Sequence, residues 1–178
     1  MKYLQIAAAC AAMACAQVAA AAVPATAPAT APPATPNAAQ LQAVRDLMAA
    51  MQAEKLMRTT AGASRYASDA QRQAVMDKLS KVPPAEIHQR LAAQVARLIS
   101  AETALEMTKF YSSSYGQRLL HQTYNGGPSM YGVQDPKPSG AEKTQLKQPA
   151  LVKARQEFAL AEPAIKHEAF VLLQKLIK

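Results

Sequence analysis

Residues 100–122 read SAETALEMTKFYSSSYGQRLLHQ, a helix, a short break and a second helix. Ser100 stands where a helix N-cap is wanted, and Glu102 falls in the first turn, where the helix dipole favours an anion. Leu105, Thr108 and the pair Phe110 and Tyr111 follow. Ser112, Ser113 and Ser114 then interrupt the helix and offer a second cap, and Tyr115 to Gln122 restarts it through Leu119 and Leu120. Gly116 lies just past the break and has no side chain, which allows two helical backbones to come close. Helix, short break, helix is the grammar of an all-α chain.

The same periodicity extends upstream. Leu41, Val44, Leu47, Met48 and Met51 recur at helical spacing and predict one amphipathic helix over 38–58, with Asn37 as its cap. Met48, Met51 and Met57 could furnish a soft binding groove, but core filler is the simpler reading. A second helix over 70–81 is carried by Val75, Met76 and Leu79. It stops at Val82-Pro83-Pro84, because the residue before a proline disfavours helical backbone. Pro84 suits the first turn of a third helix, whose stripe is Ile87, Leu91, Val95, Leu98 and Ile99.

Downstream, residues 123–148 are expected to be a loop, with four of the six glycines and three prolines between Asn125 and Gly140. Two helices close the chain. Pro149 opens one carrying Leu151, Ala154, Phe158 and Ala161, and Pro163 opens the last, carrying Ile165, Ala169, Leu172, Leu173 and Leu176. Helix, Phe158, proline break, helix echoes helix, Phe110, serine break, helix, a pattern consistent with internal duplication. The expected architecture is an irregular antiparallel bundle of about six or seven helices, formed by residues 38–178 after a disordered N-terminal arm.

That arm has two parts. Met1-Lys2 forms a short positive start, and Leu4 to Ala14 is apolar but too short to span a bilayer, the pattern of a secretory signal. Ala20-Ala21-Ala22 before Val23 fits a cleavage site, giving a leader of residues 1–22, and Ala14-Cys15-Ala16 before Gln17 fits one too. The chain is therefore expected to be exported across a bacterial inner membrane, to the periplasm or beyond. Both cysteines, Cys10 and Cys15, lie inside the leader, so no disulfide is expected in the mature protein. The alternative is lipidation at Cys15, although Ala12 stands where an aliphatic residue is usual, and this would tether the protein to the membrane. Residues 23–37, VPATAPATAPPATPN, with prolines at 24, 28, 32, 33 and 36 and no charge, read as an extended spacer.

The segment Phe110 to Leu120, FYSSSYGQRLL, resembles the hallmark of a family of secreted bacterial helical proteins, domain-of-unknown-function family twenty fifty-nine. The hallmark runs Phe-Tyr-x-Ser-Pro-x-Gly-Gln/Lys-Lys/Arg and then leucines. Phe110, Tyr111, Ser113, Gly116, Gln117, Arg118, Leu119 and Leu120 match it, whereas Ser114 stands where the family has proline. Residues 44–57, VRDLMAAMQAEKLM, resemble the family's opening helix, so the likeness covers residues 40–122. The resemblance implies a periplasmic all-helical domain and implies no activity.

Charge and motifs narrow the function classes. The net charge of +8 is spread through the helices without a run of like charge, and export takes the protein away from nucleic acid. The chain holds no Gly-x-Ser-x-Gly elbow and no Ser-x-x-Lys pair. His167-Glu168 begins like a zinc-protease motif, but Val171 holds the place of the second histidine. His88, His121 and His167 lie far apart, so neither a metal nor another cofactor is expected, and no catalytic residue is assigned. Tyrosines gather near the break, and tyrosine supplies rigid area with a polar tip. Tyr111, Ser113, Tyr115, Gln117, Arg118, Tyr124 and Tyr131 form the candidate binding surface, with Tyr115 and Tyr131 expected to tolerate alanine without loss of fold. The reading is a non-enzymatic interaction module, its partner an envelope protein or other cell-envelope component. Two alternatives stay open: a hydrolase or lyase that folds Glu102, His121 and Ser113 together, and a peripheral membrane or polyanion binder drawn by the positive charge.

Overall fold

A computed structural model describes residues 35–126 and 135–177. The leader, most of the spacer, Cys15 and Tyr131 lie outside the described residues. Within them the chain forms eight helices and no strand: α1 (Ala38–Ala50), α2 (Ala53–Ala63), α3 (Asp69–Ser80), α4 (Pro84–Val95), α5 (Ala101–Ser112), α6 (Ser114–Asn125), α7 (Gly140–Leu146) and α8 (Pro149–Ile177). The all-α class is as expected. None of these helices is long and apolar enough to cross a membrane.

Several boundaries follow directly from local chemistry. Asn37 Oδ1 accepts the Gln40 amide at 2.8 Å and starts α1. Pro84 occupies the first turn of α4. Ser100 Oγ accepts the Thr103 amide at 3.2 Å and starts α5. The same end of α5 is held from outside by Glu157 of α8, which accepts from the Ser100 amide at 2.6 Å, the Ser100 hydroxyl at 3.0 Å and the Thr103 hydroxyl at 2.5 Å. Burial works to raise the Glu157 carboxyl, but the bonds from Thr103 and Ser100, with Lys153 nearby, hold it below its usual range.

Three expectations are corrected. The helix expected over 38–58 is two helices, broken at Gln52, whose φ of 56° lies in the left-handed region. Met48 and Met57 are both fully buried, yet nine residues at about 100° each place them half a turn apart on one continuous helix. A single straight helix cannot turn both to one core. The break at Gln52 reorients α2 so that Ala53, Met57 and Ala61 join Val44, Leu47 and Met48 inside. Next, α7 lies inside the expected loop, started by a capping box in which Ser139 and Glu142 satisfy each other's amides. Finally, Pro163 does not open a helix, because it sits within α8. Phe158, Ala161, Ile165 and Ala169 stay in phase across it, so one stripe of α8 packs against α2, α3, α4 and α5. With no break in α8, the echo between Phe110 and Phe158 does not extend to a duplicated helix-break-helix unit.

The core lies where α1 meets α4 and α5, and where α8 crosses α5 and α2. Leu47, Met48, Met57, Ile87, Leu91, Ile165 and Leu173 are its largest fully buried side chains. Met48 and Met57 act there as filler, as their spacing suggests.

Candidate functional site

The break between α5 and α6 is a tight elbow. Ser113 Oγ accepts the Gly116 amide at 3.1 Å, capping α6, and donates to the Phe110 carbonyl at 2.6 Å. A side chain at Gly116 would overlap that carbonyl oxygen and stand 2.8 Å from Tyr111 Cα, so only glycine permits this approach. The elbow stacks its aromatic rings edge to face. Phe110 meets Tyr111 at 5.1 Å and Tyr115 at 6.1 Å, and Tyr111 meets Phe158 of α8 at 6.1 Å.

The structure gives each candidate residue a definite place. Tyr115 is a core residue, 8% exposed, and not part of an exposed patch. Its removal would open a hole beside Phe110, so the expectation that alanine there spares the fold does not stand. Ser113 is the α6 cap. Gln117 donates to the Tyr111 carbonyl at 2.5 Å and accepts from Gln52 at 3.1 Å, fastening α6 to the elbow and to the α1–α2 break. Arg118 forms two parallel bonds to Glu142, at 3.1 and 2.9 Å, and its guanidinium lies 5.6 Å from the Tyr115 ring centroid. Glu142 also accepts from Ser114 and from the Ser139 amide. The Arg118 bonds first, then the Ser139 amide, pull the Glu142 carboxyl down to about 2. These residues therefore join α5, α6 and α7.

Tyr111 and Tyr124 do something else. They line a cleft of about 300 Å³ between α2, α5, α6 and α8. Met51, Leu56, Leu119, Leu120, Phe158 and Ile165 supply its apolar wall, and Thr59, Thr123, Glu162 and Lys166 its polar lining. Tyr124 donates its hydroxyl proton to the Met51 carbonyl at 3.0 Å. Burial, then Tyr111 and Glu54, raise the Tyr124 hydroxyl pKa. Burial, and next the Glu162 carboxylate, push that of Tyr111 up to about 12, so both rings keep their protons. Phe158 and the Thr59, Thr123, Glu162 and Lys166 lining lie outside the candidate surface expected from the sequence. The one available signal was Phe158, an aromatic on the apolar stripe of the last helix.

Glu102, His121 and Ser113 do not converge. Glu102 opens α5 and pairs with Lys153 at 3.8 Å, while Ser113 closes the same helix roughly 16 Å away along its axis. His121 lies in a separate shallow hollow with Gln52, Lys55, Gln117 and Arg118. Among the described residues no group of three His, Cys, Asp or Glu side chains is placed to hold a metal ion.

Fold and cleft together define a class: an all-α helical domain with an aromatic-walled cleft beside a glycine-dependent elbow. Compared with models of protein families, with curated proteins and with solved structures, the chain matches none.

Proposed function

We propose that this chain is an exported, non-catalytic binding module of the bacterial cell envelope, and that the cleft between α2, α5, α6 and α8 receives part of an envelope component. The observation that carries the reading is the cleft itself: apolar and aromatic walls, few polar groups, and a volume of about 300 Å³. Such a composition is typical of sites that take an apolar group and orient it by a few polar contacts. The resemblance of Phe110 to Leu120 to a secreted helical family, and the leader-like first residues, support export.

The test is to fill the mouth without touching the core. Thr59 and Thr123 are exposed helical positions on the lining, so Thr59→Arg and Thr123→Arg should leave the fold intact and block entry. Tagged mature protein is used to capture envelope components, with and without the substitutions. Loss of the same captured component in both variants, with unchanged thermal unfolding, supports the reading. Undiminished capture in both overturns it.

A further inference from the structure

Three hydroxyls of the cleft can act toward a ligand only as acceptors, while the protonated Tyr111 hydroxyl and Lys166 remain donors. Thr59 donates its hydroxyl proton to the Lys55 carbonyl at 3.0 Å, and Thr123 donates to the Leu119 carbonyl at 2.9 Å. Tyr124 donates to the Met51 carbonyl. Each of these three hydroxyls has thus committed its proton to backbone and has only lone pairs left to offer. Tyr111, Tyr124 and Phe158 add aromatic rings, whose faces are electron-rich.

Two carboxylates act on the tyrosines of the cleft. Glu162 lines the cleft and is felt at the Tyr111 hydroxyl, and Glu54, paired with His88 at 2.9 Å, is felt at Tyr124. Arg155 also acts on Tyr111, more weakly, and its guanidinium is held 5.7 Å from the Phe110 ring centroid. Lys166 pairs with Glu162 at 2.7 Å, one helical turn along α8, with both side chains about half exposed. A surface pair of this kind holds its partners weakly, so another cation can take the place of Lys166 at Glu162.

From this geometry we infer that the cleft binds an organic ammonium group on an apolar stem. The stem lies against Leu56, Leu119 and Ile165, and the ammonium sits among the aromatic rings and hydroxyl oxygens, against Glu162. This rests on the cleft being the binding site, and gives that site its ligand chemistry. A carboxylate ligand would find Lys166 but also the repulsion of Glu162, and a neutral alcohol would lack the ion pair.

The test compares three probes of one shape. Hexylammonium, 1-hexanol and hexanoate are titrated into the protein and followed by amide NMR at Thr59 and Thr123. Hexylammonium should saturate these shifts at a concentration about tenfold below that of hexanol, the combined effect of a surface ion pair and a cation–π contact. Glu162→Gln should reduce that advantage severalfold, leaving the cation–π part. Lys166→Met, which frees Glu162, should make hexylammonium bind more tightly. Both substitutions are at half-exposed positions and leave the core untouched. Equal saturation by all three probes, or tightest binding by hexanoate, overturns the ammonium inference while leaving the cleft a binding site. Hexylammonium binding unchanged by Glu162→Gln overturns it as well. No shift from any probe at millimolar concentration sinks both the inference and the cleft as a site.

Discussion

Replacing Gly116 with alanine sets two ordinary rules against each other. Gly116 is helical, in the first turn of α6, and helix propensity alone predicts that alanine would stabilise by about 1 kcal/mol. The elbow predicts the opposite. The new methyl would overlap the Phe110 carbonyl oxygen and crowd Tyr111 Cα, and both are backbone atoms that cannot swing aside. Relief requires α6 to move off α5. That movement strains the Ser113 cap, whose loss costs about 1 kcal/mol, and the overpacking itself costs about 1–3 kcal/mol. After the propensity gain is subtracted, Gly116→Ala should destabilise by about 1–3 kcal/mol. Gly62, in α2, is the control: a methyl there meets nothing within 4 Å, so Gly62→Ala should stabilise by up to about 1 kcal/mol. Urea unfolding followed by circular dichroism measures both. The expected result is a midpoint lowered by roughly 1 M in the first variant and unchanged or raised in the second, with similar slopes. A Gly116→Ala protein as stable as the parent would refute the claim that backbone contact at the elbow dictates glycine.

Two further outcomes are expected. Ser114 is the first residue of α6, and Ser113 before it has φ −72° and ψ 159°, the extended backbone that proline demands of its predecessor. Ser114→Pro, the residue of the resembled hallmark, should therefore be tolerated and change stability by less than about 1 kcal/mol, the lost Ser114–Glu142 bond offsetting the stiffer unfolded chain; thermal unfolding checks it. Glu142 has its carboxyl pKa lowered from 4.5 to about 2, so its hold on α7 is present above the unfolded value and is lost as pH falls through the folded one. Hydrogen exchange in 140–146 should accelerate between those two pH values, and Glu142→Gln should remove that dependence while leaving α7 loosened throughout.

Much of the fold was legible in single residues. Asn37, Ser100 and Pro84 mark helix starts because each solves a local problem of the first turn, and the structure places a helix start at each of them; of the three serines 112–114 that offered a further cap, Ser113 is the one used. A close backbone approach at Gly116 was legible too, since it follows a short break between two helices; that a methyl there would overlap the Phe110 carbonyl was not. Even α7 had a readable signature, Ser139-x-x-Glu142, although the surrounding glycines and prolines suggest a loop. The phase of the α8 stripe across Pro163 was also present in the spacing of Phe158, Ala161 and Ile165.

The apolar stripes and most of their caps are written in the chain, because periodicity records which side of an element is apolar. Which stripes meet depends on how the helices pack. The half-turn offset between Met48 and Met57 is resolved by a left-handed residue at Gln52, a solution that depends on where the core lies. Tyr115 turns inward and Tyr111 toward a cleft, although the two stand four residues apart. The cleft itself is assembled from α2, α5, α6 and α8, segments distant in the chain. No local pattern encodes it, because a concave surface is a property of the spaces between elements.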